Sequence, residues 1–376
     1  MRVLHVTPCY PPTWAYGGVP RVVYALARAQ AAAGLDVRVW TTDAFDEKGR
    51  AEVAPRRVED QVDVRVTRLG SNRLAWHHQL YLPTSMPPLD GVDVVHLHAH
   101  RHLLNFLAFR GARARGLPVI HTPNGTLPRI ERKVAVKAVW DAIFDGDVPR
   151  RADRVVAVSK AEVRQLLAAG VGADRVARIP NPVHLDELAA RPPRGTFRAA
   201  RGLGEGQLVV YLGQISPRKG VDRLVDAFAG GALAPARLVV AGTARGMAPP
   251  GGEGVTYTGT LGGEERLALL VDADVVVYPS ADEVFGLVPF EGLWCGAPVV
   301  VGDDCGCGEL VVEAGAGLLA PHGDVVALRA AIRQVLGDGA AAAAMVARGR
   351  RYIEAHLSPA RVAAAHAALY ESVCPR

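Results

Sequence analysis

Residues 279–301 read PSADEVFGLVPFEGLWCGAPVVV. The apolar run Val275 to Tyr278 leads into this stretch and stops at Pro279-Ser280, the pattern of a short buried strand bounded by turn residues. Gly286, inside Phe285-Gly286-Leu287, marks a turn or a close backbone approach. Gly296-Ala297-Pro298 ends the helix that follows, and Val299 to Val301 begins another strand. Strand, loop, helix and strand make one right-handed crossover unit, and such units place ligands at the carboxyl ends of their strands. Glu283 and Glu291, eight positions apart, belong to that end.

Working outward, strands are expected at Leu208 to Leu212, Leu238 to Ala241 and Val255 to Tyr257, with helical stretches between them. The first half repeats the scheme at Val3 to Val6, in DVRVWTT, at Val62 to Val66, Val92 to Leu97, Val119 to His121 and Val155 to Val158. This alternation favours parallel sheets covered on both faces. A chain of 376 residues exceeds one ordinary core. Arg191-Pro192-Pro193-Arg194-Gly195 is the best linker, so the chain reads as two α/β halves, 1–190 and 191–354, and ends in helices rich in Ala and Arg.

Apolar residues make up 49% of the chain and net charge is +5, which permits a phosphate-bearing ligand or an anionic membrane surface without requiring either. Five cysteines with no repeated spacing argue against a disulfide framework. Cys305-Gly306-Cys307 has no second ligand pair to complete a metal site, so no metal is expected. No apolar run reaches the length of a spanning helix and no signal-peptide core is present, so the expected location is cytoplasmic, with peripheral membrane contact open. Residues 101–154 hold 11 Lys or Arg against 5 Asp or Glu, a local surplus larger than that of the whole chain. Within them, Ile130 to Phe144 interleaves Val134, Val139, Ile143 and Phe144 with Arg132, Lys133 and Lys137. Such a stretch suits an anionic membrane surface, or is an ordinary helix with one buried face. Nucleic acid is not expected as a partner, because no recognised motif or aromatic stacking pattern accompanies the charge.

Three clusters carry chemistry. Gly17-Gly18 lies between the first strand and the first helix, although the fuller G-x-G-x-x-G pattern is absent. Arg218-Lys219 follows the first strand of the second half and precedes a helix, which suits a phosphate or diphosphate; the alternative is a solvated surface loop. His96, His98 and His100 alternate, so an extended segment points all three to one face, with His121 on the next strand. They offer a metal site or, better, the lining of an acceptor pocket.

In this order the chain resembles the family 4 retaining glycosyltransferases. The resemblance rests on Glu283-x7-Glu291 in its setting, on the Gly17-Gly18 loop followed by Pro20-Arg21, and on ADRVVAVSKAEVRQL, IPNPV, LGQISPRKGVDRLVDAF, YTGTL and ELVVEAGAGLLAPHGD. It implies the GT-B architecture: two Rossmann-like domains facing across a cleft, with a C-terminal helix at about 355–376 packing back on the first. It implies transfer of a sugar from a nucleoside diphosphate sugar, a co-substrate, to a glycan or lipid-linked acceptor, with neither a cofactor nor a metal ion required. By the same resemblance Glu291 holds the ribose hydroxyls and Glu283 the transferred sugar. Lys219 and Arg218 neutralise the diphosphate. Gly17, Gly18, Phe285, Gly286, Leu287 and Val288 offer backbone amides, and Thr260 and Leu261 border the base. Two departures stand out. Gln214 occupies the place after Gly213 where the family usually has Arg, and Asn124 occupies that of a histidine often found in the acceptor-side loop. His98 and His121 are left as candidates for polarising the reacting sugar.

Overall fold

Arg2–Val6 (β1) buries four of its five residues and is the strand from which the first sheet grows. The sheet continues through Asp36–Thr42 (β2), Arg56–Glu59 (β3), Val62–Thr67 (β4), Val94–His98 (β5), Val119–Thr122 (β6), Arg154–Ala157 (β7) and Val176–Arg178 (β8). The strand order is β3-β4-β2-β1-β5-β6-β7-β8. The computed structural model describes residues 1–14, 17–45, 49–71, 73–74, 81–129, 134–145 and 147–374. Among them, two compact units form: Met1–Pro182 with Leu357–Arg376, and Val183–His356.

All pairings in the first sheet are parallel except β3 with β4. That pair is an edge hairpin whose two connecting residues, Asp60 and Gln61, both have left-handed φ (50° and 64°), as a tight hairpin turn of the right twist demands. The composition of β3, RRVE, carries no apolar alternation, so it does not announce itself in the sequence.

The sheet is buried on both faces. Val3, Val94, Ile120 and Val156 pack on one side with Leu26 of helix Gly18–Ala32 and Val362, Ala363 and Tyr370 of helix Pro359–Glu371. On the other side Leu4, Val95, Leu97 and Val119 pack with Leu104, Ala108 and Phe109 of helix Leu103–Ala114.

The second unit is built on Leu208–Leu212 (β9), Arg237–Ala241 (β10), Val255–Gly259 (β11), Val275–Tyr278 (β12), Val299–Gly302 (β13) and Gly317–Ala320 (β14), all parallel. Their order is β11-β10-β9-β12-β13-β14. From β9 the chain first builds outward to β10 and β11, then returns to lay β12 on β9's other side. The gap between the carboxyl ends of β9 and β12 is therefore the switch point, where open α/β sheets bind ligands. In the first unit the equivalent position falls between β1 and β5. Among the described residues, no helix is long and apolar enough to cross a membrane.

Candidate active site

The loops after β9 and β12 meet at that switch point. Gly220 ends the short turn Pro217–Lys219 at φ 65°, and a Cβ there would stand 2.6 Å from the Pro279 carbonyl oxygen. Only glycine allows both the conformation and the approach. Backbone bonds then lace the loops: Ala281 N donates to Arg218 O at 3.0 Å, and Arg218 Nη1 donates to Asp282 O at 3.0 Å.

This lacing delivers Lys219 to Glu283. The Lys219 ammonium donates to Glu283 Oε2 and, at 3.0 Å, to the Tyr278 hydroxyl. Tyr278 in turn donates to the same Oε2 at 2.8 Å. Lys219 is 9% exposed. An ammonium has three N–H groups and a carboxylate two oxygens. One Lys219 N–H and Glu283 Oε1 thus have no hydrogen-bond partner among the described residues, which leaves a cation and an anion in contact, each with a bonding direction to spare. Burial, with Glu283 next, pushes the Tyr278 phenol well above its usual range, so it stays protonated.

The rest of the loop surrounds this pair. Gly286 precedes helix Leu287–Cys295, whose first-turn amides, including those of Leu287 and Val288, have no partner within the helix. Phe285 is buried against Phe290, ring centroids 5.6 Å apart. The Gln214 side chain is exposed while its carbonyl accepts from Tyr211 Oη at 2.7 Å. At the neighbouring strand ends Thr260 Oγ1 and Thr243 Oγ1 are 2.7 Å apart, next to Leu261. Glu291 lies on the helix rather than in the loop, and it is ion-paired: Arg266 Nη1, from helix Gly263–Asp272, donates to Glu291 Oε2 at 2.7 Å.

In the first unit Gly17, at φ 97°, starts helix Gly18–Ala32, and Gly18 is exposed at its first turn. Asn124 takes a left-handed φ of 53°, and its Oδ1 accepts from Asn181 Nδ2 at 3.0 Å. The adjacent Gly125 N donates to Glu162 Oε1 at 2.6 Å, while Val158 N donates to Glu162 Oε2 at 2.8 Å. Burial raises the Glu162 carboxyl to about 7.

The histidines do not share one face as the alternation predicts. β5 ends at His98, and Ala99 and Arg101 have φ of 60° and 62°, which breaks the two-residue period and carries His100 away. His96 and His98 instead join His5 of β1, with a nitrogen of each within 4.8 Å of the others. His5 Nδ1 and His98 Nε2 share a hydrogen bond of 2.8 Å, and His5 Nε2 meets Gln30 Oε1 at 2.7 Å. His96 is bonded at both nitrogens, to Tyr370 Oη and Thr122 Oγ1, each at 2.7 Å. His121, on the opposite face, donates from Nε2 to Ala99 O at 2.8 Å. Burial lowers the His121 pKa to about 3 and that of His98 well below the ordinary value. His98 and His121 are 1% and 0% exposed, so both are neutral core groups.

Residues 16–187 match the family model described as Glycosyltransferase Family 4, and residues 194–352 the one described as Glycosyl transferases group 1. The chain is a family 4 type glycosyltransferase of the GT-B fold. A glycogen synthase of Mycobacterium tuberculosis is 29% identical, spanning 98% of this chain and 94% of that protein. A D-inositol 3-phosphate glycosyltransferase of Kineococcus radiotolerans is 28% identical, spanning 93% and 89%. In fold, the chain is similar to Anabaena HepE in a complex with UDP-glucose, with a TM-score of 0.74, 18% identity, and coverage of 99% of this chain and 100% of the other.

Four residues of this glycosyltransferase that sequence reasoning passed over hold its loops in place. Tyr278 closes an apolar strand, and only its hydroxyl at the ligand edge distinguishes it from core. Glu162 had a signal: Ser159-x-x-Glu162 is a capping-box spacing. Ser159 Oγ does accept from Glu162 N at 3.2 Å, but the carboxylate turns to Val158 and Gly125 instead of reaching back. Asn181 sits in the quoted IPNPV. Arg266 had no signal, being one arginine among many.

Proposed function

We propose that this enzyme moves a sugar from a nucleoside diphosphate donor to an acceptor hydroxyl with retained anomeric configuration, in the assembly of a polysaccharide or other cell-surface glycan. One observation carries the proposal: Lys219 and Glu283 are in contact at the β9/β12 switch point, each with a bonding direction that no described residue fills. A carboxylate oxygen suits the hydroxyls of the transferred sugar, and the ammonium suits the oxygens of the diphosphate. Arg218, tethered 3.0 Å from Asp282 O, adds charge to the same edge. Similarity to a glycogen synthase supports a glycan product, and the UDP-glucose bound in the HepE structure supports a nucleotide sugar as donor.

In this reading Lys219 and Arg218 stabilise the negative charge that builds on the leaving diphosphate, the main electrostatic task of the reaction. The amides of Gly17, Gly18 and Phe285 to Val288 bond phosphate and sugar, Thr260 and Leu261 border the base, and Gln214 adds no charge. Glu291 Oε1, the oxygen that Arg266 leaves open, accepts from the ribose. The departing diphosphate takes the acceptor's proton from the front side, with Asn124 and Gly125 on the acceptor side. No step needs a divalent ion, and none is assigned to the buried His98 or His121. The test is incubation with UDP-, GDP- and ADP-sugars in EDTA, with and without an acceptor panel. Nucleotide release with one donor class is expected, with the donor's anomer preserved in the product by NMR. Saturable donor binding without turnover across the panel would overturn the proposal in favour of a binding protein.

The acceptor side also bears on location. Helix Val134–Trp140 buries none of its residues, and Val134, Val136, Val139 and Ile143 are exposed beside Lys137. Phe144 packs against Phe106, ring centroids 5.6 Å apart. The remaining members of the basic stretch, Ile130, Arg132 and Lys133, lie outside the described residues. We propose that this face rests on an anionic membrane, with the apolar side chains in the interface and the surplus cations of 101–154 at the lipid phosphates, near a lipid-linked or glycan acceptor.

A further inference from the structure

Glu283 and Lys219 are flexible side chains, and the Tyr278 hydroxyl is the third group that fixes how they meet. A phenol has one proton to give. It goes to Glu283 Oε2 at 2.8 Å, so the oxygen of Tyr278 can only accept from Lys219, which it does at 3.0 Å. Lys219 also bonds that same Oε2. All three contacts therefore converge on one side of the carboxylate and one side of the ammonium.

The ring is itself fixed. Tyr278 is 4% exposed and lies nearly parallel to Tyr211, at an interplanar angle of 11° and 6.3 Å between centroids. Gly286 covers it so closely that a Cβ there would be 3.0 Å from Tyr278 Cε1 and 3.1 Å from Cys307 Sγ. Nothing in the apolar strand VVVY needs a hydroxyl for packing, so the hydroxyl answers to the two charged groups alone.

We propose that Tyr278 is a positioning residue for transfer: its hydroxyl pins Glu283 through Oε2 and Lys219 through one N–H, keeping Oε1 and the third N–H, the one without a protein partner, for the ligand. The proposal rests on the sugar-transfer reading for its effect on rate, but its geometric core can be tested without turnover. Without the hydroxyl, Glu283 Oε2 and the Lys219 ammonium each lose one anchor, so both side chains hold their place less well and the amine is more open to reagent.

The test compares Tyr278→Phe, Glu283→Gln and the double variant. Phe keeps the stacked ring, so the thermal midpoint should hold; Tyr278→Met, which fills the space without a hydroxyl, serves if Y278F does not fold. The chain has five lysines, so acylation of Lys219 by acetic anhydride can be followed by mass spectrometry against the other four. Loss of one hydrogen bond to a charged group predicts Lys219 acylation rising, and kcat falling, by about tenfold in Y278F, with donor KM changed much less. Adding Y278F to E283Q should lower kcat no further, because the pair then acts as a unit. Unchanged acylation in Y278F, or fully additive losses in the double variant, would overturn the proposal. Faster acylation in Y278F beside a wild type that turns over no nucleotide sugar would leave the positioning intact and remove the transfer reading instead.

Discussion

Arg266 grips Glu291 from the neighbouring helix, Nη1 to Oε2 at 2.7 Å, and its other arm reaches Glu187 Oε2 at 3.4 Å. The pair is nearly dry: Glu291 is 4% exposed, and the charge of Glu291 is the largest cause of the raised Arg266 pKa. A carboxylate so placed holds helix Gly263–Asp272 to helix Leu287–Cys295, and in the proposed reading it also serves the ligand.

Glu291→Ala separates these two roles. It leaves the buried guanidinium with only the more distant Glu187 carboxylate at 3.4 Å, a loss of up to about 3–5 kcal/mol when one partner of a buried pair is removed. Denaturant titration should show a loss of that order, and calorimetry with nucleoside diphosphates should show weaker binding. Arg266→Met added to Glu291→Ala should recover much of the stability and none of the affinity. Recovery of both would make Glu291 a structural residue only.

Lys219→Met leaves Glu283 Oε2 with the Tyr278 hydroxyl as its side-chain partner and, in the proposed reading, takes a cation from the leaving group. Removing one preorganised donor of this kind lowers kcat by about 10²–10³. Thermal midpoint should change little, because the loop is still laced by Ala281 to Arg218 and by Gly220 against Pro279. Steady-state nucleotide release measures the first and scanning calorimetry the second; an unchanged kcat would take Lys219 out of the reaction.

Much of the second unit was legible because its strands are short apolar runs between turn residues, and β9 and β12 to β13 fall where those runs do. The pairing of Lys219 with Glu283 was legible only as a shared strand edge. That they touch follows from Gly220 and Pro279, a contact between residues 59 positions apart in the sequence, which no local pattern encodes. The strand β3 was hidden by its polar sequence, RRVE, and β8 by its length of only three residues, VAR. The histidines misled because the period-two rule holds only while the backbone stays extended. Two left-handed residues, Ala99 and Arg101, end that state, and neither is the glycine or asparagine that would advertise it. His5 enters the cluster because β1 and β5 are neighbours in register, His5 opposite His96, which is a fact of topology.

The exposed face of helix Val134–Trp140 predicts sedimentation with liposomes containing anionic lipid at low salt, reversed as salt rises past the screening of surface charges. Val136 and Val139 are 60% and 58% exposed, so Val136→Glu with Val139→Glu should abolish sedimentation without lowering the thermal midpoint. Retention by neutral liposomes to the same degree would show that charge is not the attraction. No sedimentation at low salt would end the idea.

Stability should depend on pH with a sign set by the histidines. Burial lowers His5, His102 and His366 to about 4 and His121 to about 3, and His96 and His98 also lie well below 6.5. Between those values and 6.5 the unfolded chain binds protons that the folded chain refuses, so stability is full above pH 6.5 and is lost as pH falls toward 4. Glu162 works the other way. Its folded value, about 7, stands above the ordinary glutamate value of 4.5, so its contribution is full below 4.5 and fades as pH rises to 7. Six imidazoles against one carboxyl decide the slope, and denaturant midpoints should fall steeply on acidification. Glu162→Gln removes the opposing group, so its midpoints should fall more steeply over the same range. His366→Leu should flatten the slope by about one proton. An unchanged midpoint from pH about 6.5 to about 4 would mean that the six rings ionise in place, and that the chain of bonds from Gln30 through His5 to His98 does not hold them neutral.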